Sequence, residues 1–214
     1  MRRFAYASIL WIMVMALAAP VLGFEGKTVA YDVDGRPYEG YYVSPAARAP
    51  LVLMIHDWDG LTGYEVQRSR MLADEGYAVF ALDLFGTGVR PEAVEDRRRL
   101  TGELYQDREK MRRLMRAALE TAARQGADVS NAVAMGYCFG GAAVLELARS
   151  GADLKGFVSF HGGLKTPAGQ DWKSAKGAVL VLHGTADASV PMEEFAGLAK
   201  ELEEIGRASC RERV

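Results

Sequence analysis

A cysteine flanked by glycines is the residue of this sequence best placed to do chemistry. The stretch GYCFGG, residues 136–141, follows an apolar run and precedes a helical run of small and apolar residues. This spacing is typical of a nucleophile elbow, a sharp strand-to-helix turn whose apex side chain projects outward. The pattern predicts that Cys138 is a nucleophile. The other interpretation is a buried structural cysteine in a glycine-rich turn.

The position of Cys138 at the start of a helix predicts its reactivity. The positive end of a helix favours an anion, so we expect the pKa of the thiol to be lowered. The backbone N–H of Phe139 is expected to point to the place where an oxyanion forms during attack on an acyl group. The predicted chemistry is therefore acyl transfer to sulfur.

The elements around this turn alternate between buried strands and helices. Continuous apolar runs indicate strands covered on both faces, and helical spacing separates them. Three runs indicate such buried strands, LVLMIH at 51–56, YAVFALDL at 77–84 and NAVAMG at 131–136. Two further strands are expected at KGFVSFHG, 155–162, and GAVLVLHG, 177–184. This alternation predicts an α/β fold with a mostly parallel sheet and helices on both faces.

The remaining segments complete this arrangement. YEGYYVS, residues 38–44, is expected as an edge strand in an opening hairpin. The helix that follows residues 51–56 is expected to bury Val66, Met71 and Leu72, and the charged segment 91–125 is expected to be mostly helical. Because parallel sheets bind ligands at the carboxyl ends of their strands, we expect a site where these strands end.

Four stretches together resemble the dienelactone hydrolase family, a branch of the α/β-hydrolases that uses Cys in place of Ser. They are GYCFGGAA, LVLMIHDWDGLTGYEVQRSRMLADEGYAVFALDLFG, FVSFHGG and VLVLHGTADASVP. The similarity extends from about residue 28 to about residue 203 and implies the α/β-hydrolase fold. It also implies a hydrolase that cleaves an ester or lactone bond in a small molecule.

The resemblance implies a role for each of five residues. Cys138 is the nucleophile, and Asp187 is the acid that orients the catalytic histidine. Asp57 stands where the family carries an acidic residue, commonly Glu, that keeps the resting thiol protonated until substrate displaces it. Asp is one methylene shorter than Glu, so its reach to the thiol is open. Trp58 supplies a second oxyanion N–H beside that of Phe139.

Two further features of the family are less clear in this sequence. The family binds a substrate carboxylate with arginines, and Arg97, Arg98 and Arg99 fall in the corresponding region without a basis for choosing among them. The family's histidine follows the acid, but no histidine follows Asp187. None of His56, His161 and His183 is expected to replace it.

The two ends of the sequence differ from the part between them. Arg2 and Arg3 precede an apolar run, residues 4–19, that predicts a signal peptide over residues 1–23 and an exported, periplasmic or secreted protein. An uncleaved anchor is the other interpretation. Residues 24–203 are expected to form the hydrolase domain, and residues 204–214 resemble a translated sequencing adapter.

We expect this tail to be non-native and the last strand, the catalytic histidine and the last helix to be absent. The chain as given is then expected to be nearly inactive. Cys210 lies in the tail, so no disulfide between Cys138 and Cys210 is expected.

Composition and missing motifs exclude several functions. Lys and Arg number 26 against 28 Asp and Glu, without a basic tract, which gives no indication of nucleic-acid binding. The sequence contains no metal-ligand spacing and no phosphate-binding loop, so neither a metal nor a cofactor is expected. No stable association with a membrane is expected after the signal peptide is cleaved. The alternatives are an esterase or peptidase of the same fold, or a non-catalytic binding protein with this fold.

Overall fold

The computed structural model describes residues 24–206. The predicted signal peptide, residues 1–23, and most of the predicted tail, residues 207–214, lie outside the described residues. Within residues 24–206, no helix is both long and apolar enough to cross a membrane.

Seven strands and five helices make up this part of the chain. The strands are β1 (Lys27–Val33), β2 (Arg36–Val43), β3 (Pro50–Ile55), β4 (Ala78–Leu82), β5 (Asp128–Tyr137), β6 (Gly156–Phe160) and β7 (Ala178–Leu182). The helices are α1 (Gly63–Asp74), α2 (Val94–Gln106), α3 (Arg108–Arg124), α4 (Phe139–Arg149) and α5 (Met192–Glu204).

The strands form one sheet in the order β1-β2-β4-β3-β5-β6-β7. Pairing is parallel from β4 through β7 and antiparallel at β1–β2 and β2–β4. The predicted α/β fold with a mostly parallel sheet is confirmed. The prediction that residues 38–44 form an edge strand is wrong, because β2 pairs with both β1 and β4 and the edge position belongs to β1.

The alternation of side chains along β3 shows that both faces of the sheet are covered. Leu51, Leu53 and Ile55 belong to the core cluster that includes residues of α3 and α4. Val52 and Met54 belong to a second cluster, on the opposite face, that includes Ala73 of α1. Since successive strand residues point to opposite faces, the continuous apolar run fits a strand between two helical layers.

The inward side of α1 differs from its predicted apolar side. The helix buries Glu65, Ser69 and Ala73, which recur every four residues, while Met71 is 48% exposed. Glu65 is buried because its carboxylate accepts hydrogen bonds from the backbone N–H and the hydroxyl of Thr62, the residue that caps the helix. The buried polar residues at the start of α1 therefore determine which side of the helix faces the sheet. The pattern of apolar residues did not predict that side.

The first turn of α4 packs directly against the end of β3. A Cβ atom added to Gly140 would overlap the carbonyl oxygens of Ile55 and His56, and one added to Gly136 would overlap the backbone of Gly140. Only glycine permits these approaches. They bring Cys138, between β5 and α4, next to the loop that follows β3.

Candidate active site

Cys138 occupies the apex of the turn between β5 and α4 in a backbone conformation that non-glycine residues rarely adopt. Its φ is 49° and its ψ is −111°. The turn is fixed from both sides, because the N–H of Cys138 donates to the carbonyl of Phe160 at 2.9 Å and its carbonyl accepts from Ala142 N–H at 3.1 Å. Strain of this kind persists where the surrounding structure determines the conformation, and it clusters at functional sites.

A cavity of about 340 Å³ opens above this apex. Its lining includes Cys138, Phe139, Trp58 and Asp187, which come from three different strand ends. The structure thus brings together residues that lie far apart in the sequence. Asp57 lines an adjoining cavity of about 240 Å³, and His161 lines both.

The pKa of the Cys138 thiol is raised, to about 12. Burial is the largest cause, and the negative charge of Asp57 and a hydrogen bond between its carboxylate and the thiol add to it. The Phe139 N–H lowers the pKa but does not outweigh them. The helix start thus lowers the pKa as expected, but the expectation of a lowered thiol pKa overall is wrong, while the shorter Asp57 side chain does reach the thiol.

The Asp57 carboxylate also binds the backbone of the next residue, Trp58. Its Oδ1 accepts a hydrogen bond of 2.5 Å from the N–H of Trp58. The same carboxylate therefore contacts the thiol and one of the two predicted oxyanion donors. In this resting arrangement the thiol is protonated, and the Trp58 N–H is already engaged.

Asp187 lies at the cavity within a tight turn after β7. Its Oδ1 accepts from the backbone N–H groups of Ser189, at 2.8 Å, and Val190, at 3.1 Å. These bonds lower the pKa of Asp187, so the side chain is ionised at neutral pH. Within residues 24–206, no imidazole forms a hydrogen bond with this carboxylate.

The three histidines have different surroundings. His56 is fully buried, and both of its ring nitrogens have hydrogen-bond partners. His183 contacts the carbonyl of Val190 through Nε2, at 2.8 Å. His161 is exposed, has a φ of 42° and lines the cavity. That none of them is the catalytic base stays a prediction.

The arginines at 97–99 are distinguished by their positions on α2. Arg97 stacks on the Trp58 ring, 5.4 Å from the ring centroid, and its Nε donates to the carbonyl of Pro91. Arg99 forms ion pairs with Asp96 and Glu103 on the exposed side. Arg98 is exposed. Arg97 is therefore the arginine that lies beside the site.

Two residues of α2 line the cavity and were missed by the sequence analysis. Thr101 and Tyr105 face it, and the Tyr105 ring packs edge-on against Phe139 at 5.4 Å. Burial raises the pKa of Tyr105 to about 12. Each follows an apolar residue of α2, Leu100 or Leu104, in the sequence. The sequence pattern therefore predicted a helix here but not which of its sides meets the cavity.

Within residues 24–206, no cluster of three or more His, Cys, Asp or Glu side chains could hold a metal ion. A strained cysteine between a parallel strand and a helix, at the carboxyl edge of a mostly parallel sheet, defines the class of α/β-hydrolases. Residues 38–208 match the sequence model of the Dienelactone hydrolase family, and the chain belongs to that family.

Similar proteins agree with this assignment. The solved structure of m3DLH is 34% identical, with a TM-score of 0.81 and coverage of 86% of this chain and 78% of that one. A dienelactone hydrolase-like promiscuous phosphotriesterase from metagenomic libraries is 32% identical, with a TM-score of 0.80 and the same coverage of each chain.

Among curated proteins, a putative carboxymethylenebutenolidase of Aquifex aeolicus (strain VF5) is 27% identical over 128 residues. That match covers 58% of this chain and 55% of the relative. The chain thus matches about half the length of this curated relative.

The Asp57→Asn variant tests what holds the thiol protonated. Removing the negative charge is expected to lower the pKa of Cys138. Each unit by which this pKa falls increases the thiolate fraction at about pH 8 roughly tenfold. The measurement is the rate of Cys138 alkylation by iodoacetamide, followed by peptide mass spectrometry in a Cys210→Ser background. Asp59→Asn, in the same loop, is the matched control and should leave the rate unchanged. Equal rates in the two variants would contradict the assigned cause.

Proposed function

We propose that the protein hydrolyses an ester or lactone bond of a small molecule, with Cys138 as the nucleophile. The observation that carries this proposal is the strained thiol at the cavity, with the Phe139 N–H beside it and the Trp58 N–H on the Asp57 carboxylate that contacts it. Two backbone donors beside a nucleophile are the arrangement that stabilises the tetrahedral intermediate of acyl transfer.

The reaction begins with displacement of the Asp57 carboxylate by the substrate. Displacement removes the charge and the hydrogen bond that raise the thiol pKa, and it frees the Trp58 N–H. Sulfur then gives its proton to a base and bonds to the acyl carbon. The negative charge moves to the carbonyl oxygen, which the N–H groups of Trp58 and Phe139 stabilise. The carbonyl then re-forms as the C–O bond breaks, and the base gives its proton to the departing oxygen, which leaves as the alcohol. Water next gives a proton to the same base and attacks the thioester, and the C–S bond breaks to release the acid and return the proton to sulfur.

The base in this scheme is an imidazole oriented by Asp187, in a Cys-His-Asp triad. The sequence has no histidine after Asp187. We therefore propose that the chain as given turns over slowly, because removing the base from a triad costs on the order of 10⁶-fold in kcat. Acylation by an activated ester, whose leaving group needs no proton, should be less affected than turnover.

The position of Arg97 supports the inference that the substrate bears a carboxylate. It is the one arginine of the three that lies beside the cavity, where it stacks on Trp58. Its guanidinium has donors left to bind a carboxylate while Nε holds Pro91. We propose that Arg97 contacts an acidic group of the substrate, which agrees with the description of the curated relative as a putative carboxymethylenebutenolidase.

Replacing the nucleophile tests the proposed function. Cys138→Ala is expected to abolish the burst of p-nitrophenol that accompanies acylation by a p-nitrophenyl ester, because no sulfur is left to form the thioester. Release of p-nitrophenol is measured against the unmodified protein, with Cys210→Ser as the control that retains Cys138. Phosphotriesters are tested as further substrates, because one similar solved structure is described as a promiscuous phosphotriesterase. Undiminished hydrolysis by Cys138→Ala would remove Cys138 from the mechanism and favour a binding protein with incidental activity.

The role of Arg97 is tested by its specificity. Arg97→Met is expected to raise KM for an ester that bears a carboxylate by roughly 10- to 100-fold, the value of a hydrogen bond to a charged group. KM for the matching neutral ester should change little. Arg98→Met, one position along the same helix, is the control. If both variants affect the two esters alike, Arg97 does not bind a substrate carboxylate.

A further inference from the structure

The imidazole of His56 is a buried polar group that the proposed mechanism does not use. It follows β3 directly, and its side chain is fully inaccessible to solvent. The ring lies between aromatic neighbours, 4.7 Å from Phe85 and 6.1 Å from Phe139 by ring centroids. A polar ring in such a place is stable only if its nitrogens are hydrogen-bonded.

The hydrogen bonds of His56 define its tautomer. The backbone N–H of Leu84 donates to Nε2 at 3.0 Å, so Nε2 must carry a lone pair and no hydrogen. In a neutral imidazole the proton is then on Nδ1. Nδ1 lies 2.5 Å from the carbonyl oxygen of Asp57, to which it donates.

The neutral form is favoured by the surroundings of the ring. The pKa of His56 is lowered to about 4, chiefly by burial and to a smaller extent by the charge of Arg90, although the hydrogen bond to the Asp57 carbonyl raises it. The carboxylate of Asp83 lies 3.8 Å from Nε2, but it accepts from the Phe85 N–H and from Arg90. The ring therefore keeps one tautomer at neutral pH.

The peptide bond between Asp57 and Trp58 links this ring to the active site. All described peptide bonds are trans, and a peptide group is planar. The carbonyl of Asp57 and the N–H of Trp58 thus point in opposite directions from the same rigid unit. When His56 holds the carbonyl, it fixes the direction of the Trp58 N–H, which points to Asp57 Oδ1 and the site.

We propose that His56 is a positioning residue, which aims the Trp58 N–H at the oxyanion by donating from Nδ1 to the carbonyl of the same peptide. This inference rests on the proposed function, because the oxyanion role of Trp58 does. The geometry of the peptide itself can be tested without any activity.

Two variants separate the donor at Nδ1 from the acceptor at Nε2. The amide nitrogen of Asn reaches the position of Nδ1, whereas the amide of Gln reaches the position of Nε2. Both lose the ring and its packing. His56→Gln is expected to slow acylation of Cys138 by p-nitrophenyl acetate roughly 100-fold, the cost of one oxyanion donor, and His56→Asn by less than about tenfold. Alkylation by iodoacetamide, which forms no oxyanion, should be similar in both. Equal acylation rates in the two variants would overturn the inference.

Nuclear magnetic resonance tests the same inference without turnover. In the unmodified protein, long-range ¹H–¹⁵N spectra should show His56 protonated on Nδ1, and the shift of the Trp58 amide should change more in His56→Gln than in His56→Asn, since both variants lose the ring. A ring protonated on Nε2, or an unchanged Trp58 amide in His56→Gln, would overturn the inference. Failure of Cys138 to become acylated would instead refute the proposed function, and these spectra would still decide the role of His56.

Discussion

The active site depends on the close packing of the first turn of α4 against the end of β3. Neither Gly136 nor Gly140 has room for a side chain, because backbone atoms fill the space. This packing forces Cys138 into its strained conformation and places it beside the loop of Asp57 and Trp58. Two segments about eighty positions apart thereby form one candidate site, with the proposed nucleophile from one and a proposed oxyanion donor from the other.

Desolvation and the helix start act on the thiol in opposite directions, and desolvation dominates. A charge at a helix terminus is stabilised by about 0.3–1 kcal/mol, which is below one pKa unit. Burial can shift a pKa by up to about 3–5 units. The neighbouring carboxylate adds to burial. The resting protein therefore holds a protonated thiol. In the proposed mechanism, a substrate that displaces Asp57 lowers the thiol pKa and frees the Trp58 N–H.

Patterns of apolar residues were enough to predict the buried strands. Apolar runs such as residues 51–56 are typical of strands covered on both faces, and GYCFGG has the spacing of a strained turn. The errors come from tertiary contacts that local pattern does not encode. Met71 is exposed because the capping of α1 by Thr62 and Glu65 determines which side of the helix faces the sheet. The thiol pKa was mispredicted because burial is not visible in six residues, and only the position of α2 distinguishes Arg97 from Arg98 and Arg99.

The most direct test of this account is to find where an acyl group attaches. The protein is reacted briefly with a p-nitrophenyl ester at slightly acid pH, digested and examined by peptide mass spectrometry. The account predicts a single thioester on Cys138 and none on Cys210 or any lysine beyond the background of a denatured sample. An acyl group on another side chain, with Cys138 unmodified while p-nitrophenol is released, would contradict it.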